Sequence, residues 1–341
     1  MTQGAKQSSM RTVLPDARVT PRFAGVCTFC RFPMLDDVPE SSRPVDWVVY
    51  GVPFDAGVTF RPGARFGPRA IRDASQYVKP YSIDHDVNVC EVLSVADGGD
   101  APIKPFALKE TLEGVCEHAI GLSERGGGDK AGAKLLAVGG DHSIAYANMK
   151  ATWVRQGKPA GGLALVHFDS HLDTVDITGG EKWSHASPFI RAVEDGILNP
   201  RKMLSIGVKG PLNSGADLDY ARARGITLVT YSQWQREGAG RLEAFVDALA
   251  GEPVYLTFDI DCVDPAFAPG TGTPSVGGFT SAEALRLVRS LSRQGGGLNV
   301  VGADVVEVLP DRDVSQITSL LAGHVIFEVL CLSALHRRAG G

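Results

Sequence analysis

Eight short apolar runs of strand length recur along the chain, with an amphipathic stretch after almost every one. They fall at 46–51, 92–96, 134–138, 163–168, 202–206, 226–229, 254–258 and 298–302. They are near-continuous in Val, Leu, Ile, Ala, Phe and Tyr and do not alternate with polar residues. A strand of that kind is covered on both faces, which is the environment of a parallel sheet. Between the runs, helical periodicity predicts helices near 69–75, 107–124, 144–156, 187–197, 216–224, 240–250, 281–292 and 316–336. Strict alternation of this sort implies an α/β chain: a parallel sheet with helices packed on both sides.

The remaining bulk properties narrow the class further. Residues 1–44 are polar and proline-containing without periodicity, which predicts an arm or tail; residues 45–341 read as a single catalytic domain. Gly126–Gly128 and Gly295–Gly297 mark loops and lack a phosphate-loop pattern. Net charge is −5 with no Lys/Arg-rich tract, which argues against nucleic acid as a partner. No run of 18 apolar residues and no apolar leader at the start predict a cytoplasmic chain with no membrane association. Of six cysteines, Cys27 and Cys30 form an isolated Cys-x-x-Cys with no completing pair, so all six read as thiols.

Three clusters carry chemistry. They are His142, the alternating set Asp169, His171 and Asp173, and the pair Asp259 and Asp261. Each cluster follows directly on an apolar run, at 138, 168 and 258. Ligands in open α/β sheets sit at the carboxyl ends of strands, so three separate segments converge on one edge. Extended backbone would put residues 169, 171 and 173 on one side, with Leu172 and Ile260 turned to the packed side. Two imidazoles and four carboxylates exceed the needs of one ion and suit two hard divalent cations. Oxygen-rich ligation favours manganese, with nickel, cobalt or iron also accommodated. Such a pair activates water for attack on an unreactive carbon, which points to a hydrolase.

The motifs Asp141-His142-Ser143, Asp169-x-His171-x-Asp173 and the long stretch 257–274 (Thr-Phe-Asp-Ile-Asp-Cys-Val-Asp-Pro-Ala-Phe-Ala-Pro-Gly-Thr-Gly-Thr-Pro) resemble those of the ureohydrolases, the family of arginases, agmatinases and guanidinobutyrases. Residues 51–55, 63–72 and 303–308 resemble its agmatinase branch, and the likeness spans roughly 45–335. The resemblance implies a three-layer α/β/α sandwich on a mostly parallel eight-stranded sheet. It implies one metal on His142, Asp169, Asp173 and Asp259 and a second on His171, Asp169, Asp259 and Asp261. It implies a loop histidine, His185, that moves protons to the leaving amine, and a carboxylate, Glu307, that pairs with a guanidinium. Asp261 is expected to help handle the proton of the attacking water, and Asp141 to orient its loop or a ligand. His167 reads as structural. Homo-oligomers, trimers or hexamers, are implied as well.

Two positions depart from the family pattern: Ala186 where glycine usually follows the histidine, and Ser170 where alanine usually stands. The expected reaction is hydrolysis of a guanidinium compound to urea and an amine, with agmatine leading. Guanidinobutyrate, guanidinopropionate, free guanidine or an alkylated biguanide, the last group tied to nickel, are alternatives. Formimidoylglutamate hydrolysis, amide deacetylation and a non-catalytic partner subunit are the competing classes.

Overall fold

The computed structural model describes residues 11–127, 132–292 and 297–340; residues 1–10 of the expected arm and the loop glycines Gly128, Gly295 and Gly296 lie outside them. Among the described residues the strands are β1 (Trp47–Val52), β2 (Tyr81–Ser82), β3 (Val87–Asn88), β4 (Val95–Asp100), β5 (Lys134–Gly139), β6 (Leu163–Phe168), β7 (Leu198–Val208), β8 (Thr227–Thr230), β9 (Pro253–Asp259) and β10 (Asn299–Val306). Eight of them form one sheet in the order β4-β1-β5-β10-β9-β6-β7-β8, with every recorded pairing parallel. β2 and β3 make a separate antiparallel ribbon.

The α-helices are α1 (Gly67–Ala74), α2 (Val89–Val92), α3 (Leu108–Gly126), α4 (Ile144–Arg155), α5 (Pro188–Glu194), α6 (Asp219–Arg224), α7 (Tyr231–Glu237), α8 (Gly240–Ala248), α9 (Ser281–Ser290) and α10 (Ile317–Arg338). Successive side chains of a strand point to opposite faces, and the core divides accordingly. Val49, Leu136, Val166 and Leu256 pack with residues of α7, α8, α9 and α10, whereas Val48, Leu135, Leu165 and Tyr255 pack with residues of α3, α4, α5 and α6. The result is the expected three-layer α/β/α sandwich. α10 is long and apolar enough to cross a membrane by composition, but 83% of its apolar window is buried inside the fold.

Among the differences from the sequence reading, which include a β10 that runs to Val306 rather than 302 and an α5 that ends at Glu194 rather than 197, three have a local reason. The strand expected at 92–96 starts at Val95, because Asn88 caps the short helix α2 by accepting from Cys90 N. Its second half, Asp-Gly-Gly-Asp, escapes an apolar count because Asp97 and Asp100 pair with Arg72. β7 runs from Leu198 rather than 202, with a register shift opposite β6 that absorbs the polar residues 199–202. α7 went unforeseen; Thr230 and Gln233 close a capping box at its start.

The segment before β1 lies along the β4 edge. Thr12 Oγ1 accepts from Val95 N, Phe29 N donates to Asp97 Oδ2, and Met34 bridges to Asp97. Phe29, Cys30 and Phe32 are buried in the same core as α10. The strand that would otherwise offer open hydrogen-bonding groups is thereby covered.

Candidate metal and guanidinium site

β5 and β6 are consecutive strands of the sheet in the chain, yet β10 and β9 lie between them in space. The strand order reverses there, which opens a crevice at the carboxyl edge. The segments that leave β5, β10, β9 and β6 supply the site. The loop after β5 turns at Gly140, where a Cβ would lie 2.1 Å from the carbonyl oxygen of Phe54. That close approach lets Glu307 N donate to Gly140 O at 2.9 Å and seats His142 at the mouth of β5.

His142, Asp169, Asp173, Asp259 and Asp261 are all buried. His142 Nδ1 faces Asp173 Oδ2 at 2.8 Å and the Oδ2 atoms of Asp169 and Asp259 at 3.2 Å each. His171 Nδ1 faces Asp261 Oδ2 at 3.0 Å and Asp169 Oδ1 at 3.4 Å, with its side chain 41% exposed. All six expected donors therefore meet, with Asp169 touching both imidazoles. Among the described residues, His142–His167–Asp169 and Asp169–His171–Asp261 are the groups whose donor atoms lie close enough for a shared ion. Cys27 and Cys30 join no such group.

The backbone that presents these donors is not the extended chain expected. Asp173 adopts a left-handed conformation (φ 49°), which brings its carboxylate toward His142. After β9 the chain enters a single 3₁₀ turn, Ile260–Cys262, in which Asp261 N donates to Asp259 Oδ1 at 2.9 Å. Leu172 and Ile260 are both buried, and Ile260 packs in the core with Phe258 and Val263. Close-range carboxylate-to-amide bonds favour turns over strands at such positions.

The chemistry of the donors suits cations. Thr257 Oγ1 donates to Asp304, so it accepts from His142 Nε2–H at 2.8 Å. That leaves Nδ1 aimed at three carboxylate oxygens with no hydrogen bond of its own. Burial alone would lower the His142 pKa, but Asp169, Asp173 and Asp259 outweigh it and hold the imidazole well above its ordinary value. Burial, with the charges of Asp261 and Asp169, pushes Asp259 well above the carboxylate range. Asp261 drives His171 up to about 12 against burial. The pocket thus demands positive charge, and a divalent ion meets the demand without consuming protons. The six residues fit a pair of such ions.

Several orienting contacts carried no sequence signal. His167, read as structural, donates through Nε2 to Asp169 Oδ2 at 2.8 Å and meets Ser205 Oγ at 3.0 Å through Nδ1. Asp304 receives Tyr255 OH at 2.6 Å, and Asn148 ties Tyr255 to Tyr50. His142 is therefore fixed by a buried polar chain through one side of the sheet. Asp141 accepts from Ser143 N and Gly57 N, so it ties the loop after β1 to the start of α4. Spacing reveals donors; it does not reveal which hydroxyl the sheet register will bring beneath a ring.

Beside the cluster lies a second set. Glu307, just past β10, is buried and left-handed (φ 65°). Its Oε1 accepts from His142 N and pairs with His185 Nδ1, each at 2.9 Å. Its Oε2 has no hydrogen-bond partner. His185 Nε2 accepts from Thr59 N at 3.0 Å, so Nδ1 carries the proton given to Glu307; Thr59 Oγ1 lies 2.7 Å from the same Nε2. Thr59 is a site residue that the sequence reading missed, because it stands 126 positions before its partner.

Comparison with known proteins identifies the family. The family model described as the arginase family matches residues 45–332. Proclavaminate amidinohydrolase of Streptomyces clavuligerus is 39% identical over 92% of this chain and 95% of its own. Its solved structure has a TM-score of 0.83, covering 93% of this chain and 100% of that one. Guanidinopropionase of Pseudomonas aeruginosa is 39% identical over 94% of this chain and 95% of its own. The crystal structure of a hypothetical agmatinase from Burkholderia thailandensis is 36% identical, covers 99% of this chain and 98% of that one, and has a TM-score of 0.81. With a family match across most of the chain and relatives of this likeness, the chain belongs to the arginase family.

Proposed function

We propose that this ureohydrolase converts a guanidinium compound to urea and an amine, with agmatine yielding putrescine as the leading reaction. The observation that carries the reading is Glu307 Oε2, an unpartnered carboxylate oxygen inside the fold, beside a cluster that fits two divalent ions. A buried acceptor without a donor is costly. A planar guanidinium offers N–H groups in the fork that a carboxylate accepts.

His142, Asp169, Asp173 and Asp259 would hold one ion, and His171, Asp169, Asp259 and Asp261 the other, with manganese favoured over nickel by the oxygen-rich donors. When bound, the ions bring the pKa of a water down to about 7 and so supply a nucleophile at neutral pH. Glu307 orients the guanidinium with its carbon toward that cluster. His185 keeps the Glu307 carboxylate in place through Nδ1–H. Once Thr59 releases it, Nε2 takes up a proton from solvent and passes it to the departing nitrogen, while Nδ1–H stays on Glu307. Asp261 accepts the proton given up by water. Residues 45–341 are the catalytic domain and 1–44 an arm, whose described part, 11–44, runs along the β4 edge; the chain works as a cytoplasmic homo-oligomer, a trimer or hexamer.

The relatives bear names with different substrate tails, guanidinopropionate among them, so guanidino acids are the second reading. Urea release from agmatine, guanidinobutyrate, guanidinopropionate, guanidine and an alkylated biguanide, each with manganese and with nickel, separates them. Urea from none of the panel with both ions bound would sink the proposal.

A further inference from the structure

Among the expected donors, Asp261 has one carboxylate oxygen held by a serine from the neighbouring donor segment. Its Oδ1 accepts Ser170 Oγ at 2.7 Å and Ser170 N at 3.2 Å. Its Oδ2 faces His171 Nδ1 at 3.0 Å and accepts Thr273 Oγ1 at 3.2 Å. Ser170 is fully buried, between the donors Asp169 and His171. Its hydroxyl has a weak second contact, His171 Nδ1 at 3.5 Å. We propose that Ser170 is a positioning residue: its hydroxyl saturates one oxygen of Asp261, so that Asp261 reaches the cation cluster through the other oxygen alone.

The physical reasoning concerns a torsion and a charge. A carboxylate rotates about its Cβ–Cγ bond unless something fixes the plane. One N–H at 3.2 Å is a weak restraint. The hydroxyl at 2.7 Å adds a second, shorter bond to the same atom. Asp261 is then held to one-oxygen ligation and draws part of its charge toward Ser170. An alanine at 170 removes that bond and the long 3.5 Å contact to His171 Nδ1, and leaves all six donors in place. The carboxylate plane is then held on the protein side only by the two longer bonds from Ser170 N and Thr273 Oγ1, each at 3.2 Å, and the donor is less well placed when an ion arrives. Outer partners of this kind typically change metal affinity by about 10–100-fold.

The inference rests on the two-ion reading above, and one experiment separates the two. Chelator-stripped full-length protein is titrated with Mn²⁺ by calorimetry, as wild type, Ser170→Ala and Ser170→Thr, and the unfolding temperature of each stripped protein is recorded. In wild type, two ions bind. In Ser170→Ala, one of the two steps weakens at least tenfold and the other stays within twofold, while the stripped variant melts with wild type. Ser170→Thr, which keeps a hydroxyl, recovers most of the loss. Equal affinities in wild type and Ser170→Ala overturn the proposal and leave the two-ion reading intact. A Ser170→Ala protein that melts early with unaltered affinities also overturns it, because Ser170 then serves folding only. Fewer than two ions in wild type removes the two-ion reading and this inference together.

Discussion

At the scale of single residues, two of the site's carboxylates sit in backbone conformations that most L-residues avoid, Asp173 at φ 49° and Glu307 at φ 65°. Strain of this kind costs about 1–3 kcal/mol and persists where the surroundings impose it. Both residues face the cluster, so the cost accompanies function. Glu307→Gln keeps the size and loses the charge; urea release should fall by about 100-fold or more while both ions stay bound, as elemental analysis will show. Activity and ion content falling together would instead make Glu307 a support for the ions. Thr257→Val should weaken ion binding by about 10–100-fold, since nothing would then fix the His142 tautomer. The six donors were legible in the sequence because their types and alternate spacing are distinctive. Thr59, His167 and the partner roles of Thr257 and Asp304 were not, because each contact is created by folding.

At the scale of elements, apolar runs gave the inner strands nearly to the residue, as in β6. They failed where an edge strand or a bulge carries polar residues, in β4 and β7. They failed also where a carboxylate caps a turn, after β9. Two substitutions separate structural from catalytic elements. Gly140→Ala forces a methyl against a backbone oxygen that cannot yield, so the protein should melt far earlier than wild type and recover little soluble material. Thr280→Ala opens the capping box of α9 and should cost about 1 kcal/mol in denaturant unfolding with urea release unchanged. A loss of activity there would tie α9 to the site.

At the scale of the whole molecule, the cluster makes stability depend on ions and pH together. Without ions, the folded protein holds His142 and Asp259 protonated well above their ordinary values, and His171 up to about 12. The folded state then binds more protons than the unfolded chain. The stability from each imidazole is complete below its unfolded value of 6.5 and drains away as pH rises, for His171 up to about 12. The raised Asp259 has the same sign. Asp169 is held well below 3.8 despite burial, by His167 and His142, and has the opposite sign; its contribution is lost only at lower pH. Chelation should therefore lower the melting temperature more near pH 8.5 than near about pH 6, as calorimetry will show. An equal drop at both would mean that protons do not stand in for the ions, and no drop at either would mean that the ions add nothing to the fold.

Among the described residues, the strand latest in sequence, β10, lies in the middle of the sheet, between β5 and β9. During synthesis, an emerging chain that lacks it has two half-sheets and a slit where Glu307 belongs. Long-range parallel pairing is slow to form. A ribosome-bound product must keep both half-sheets from wrong partners until β10 emerges. Recovery of urea release thus reports the end of folding, and a truncation before β10 leaves aggregation-prone halves rather than a weakened enzyme.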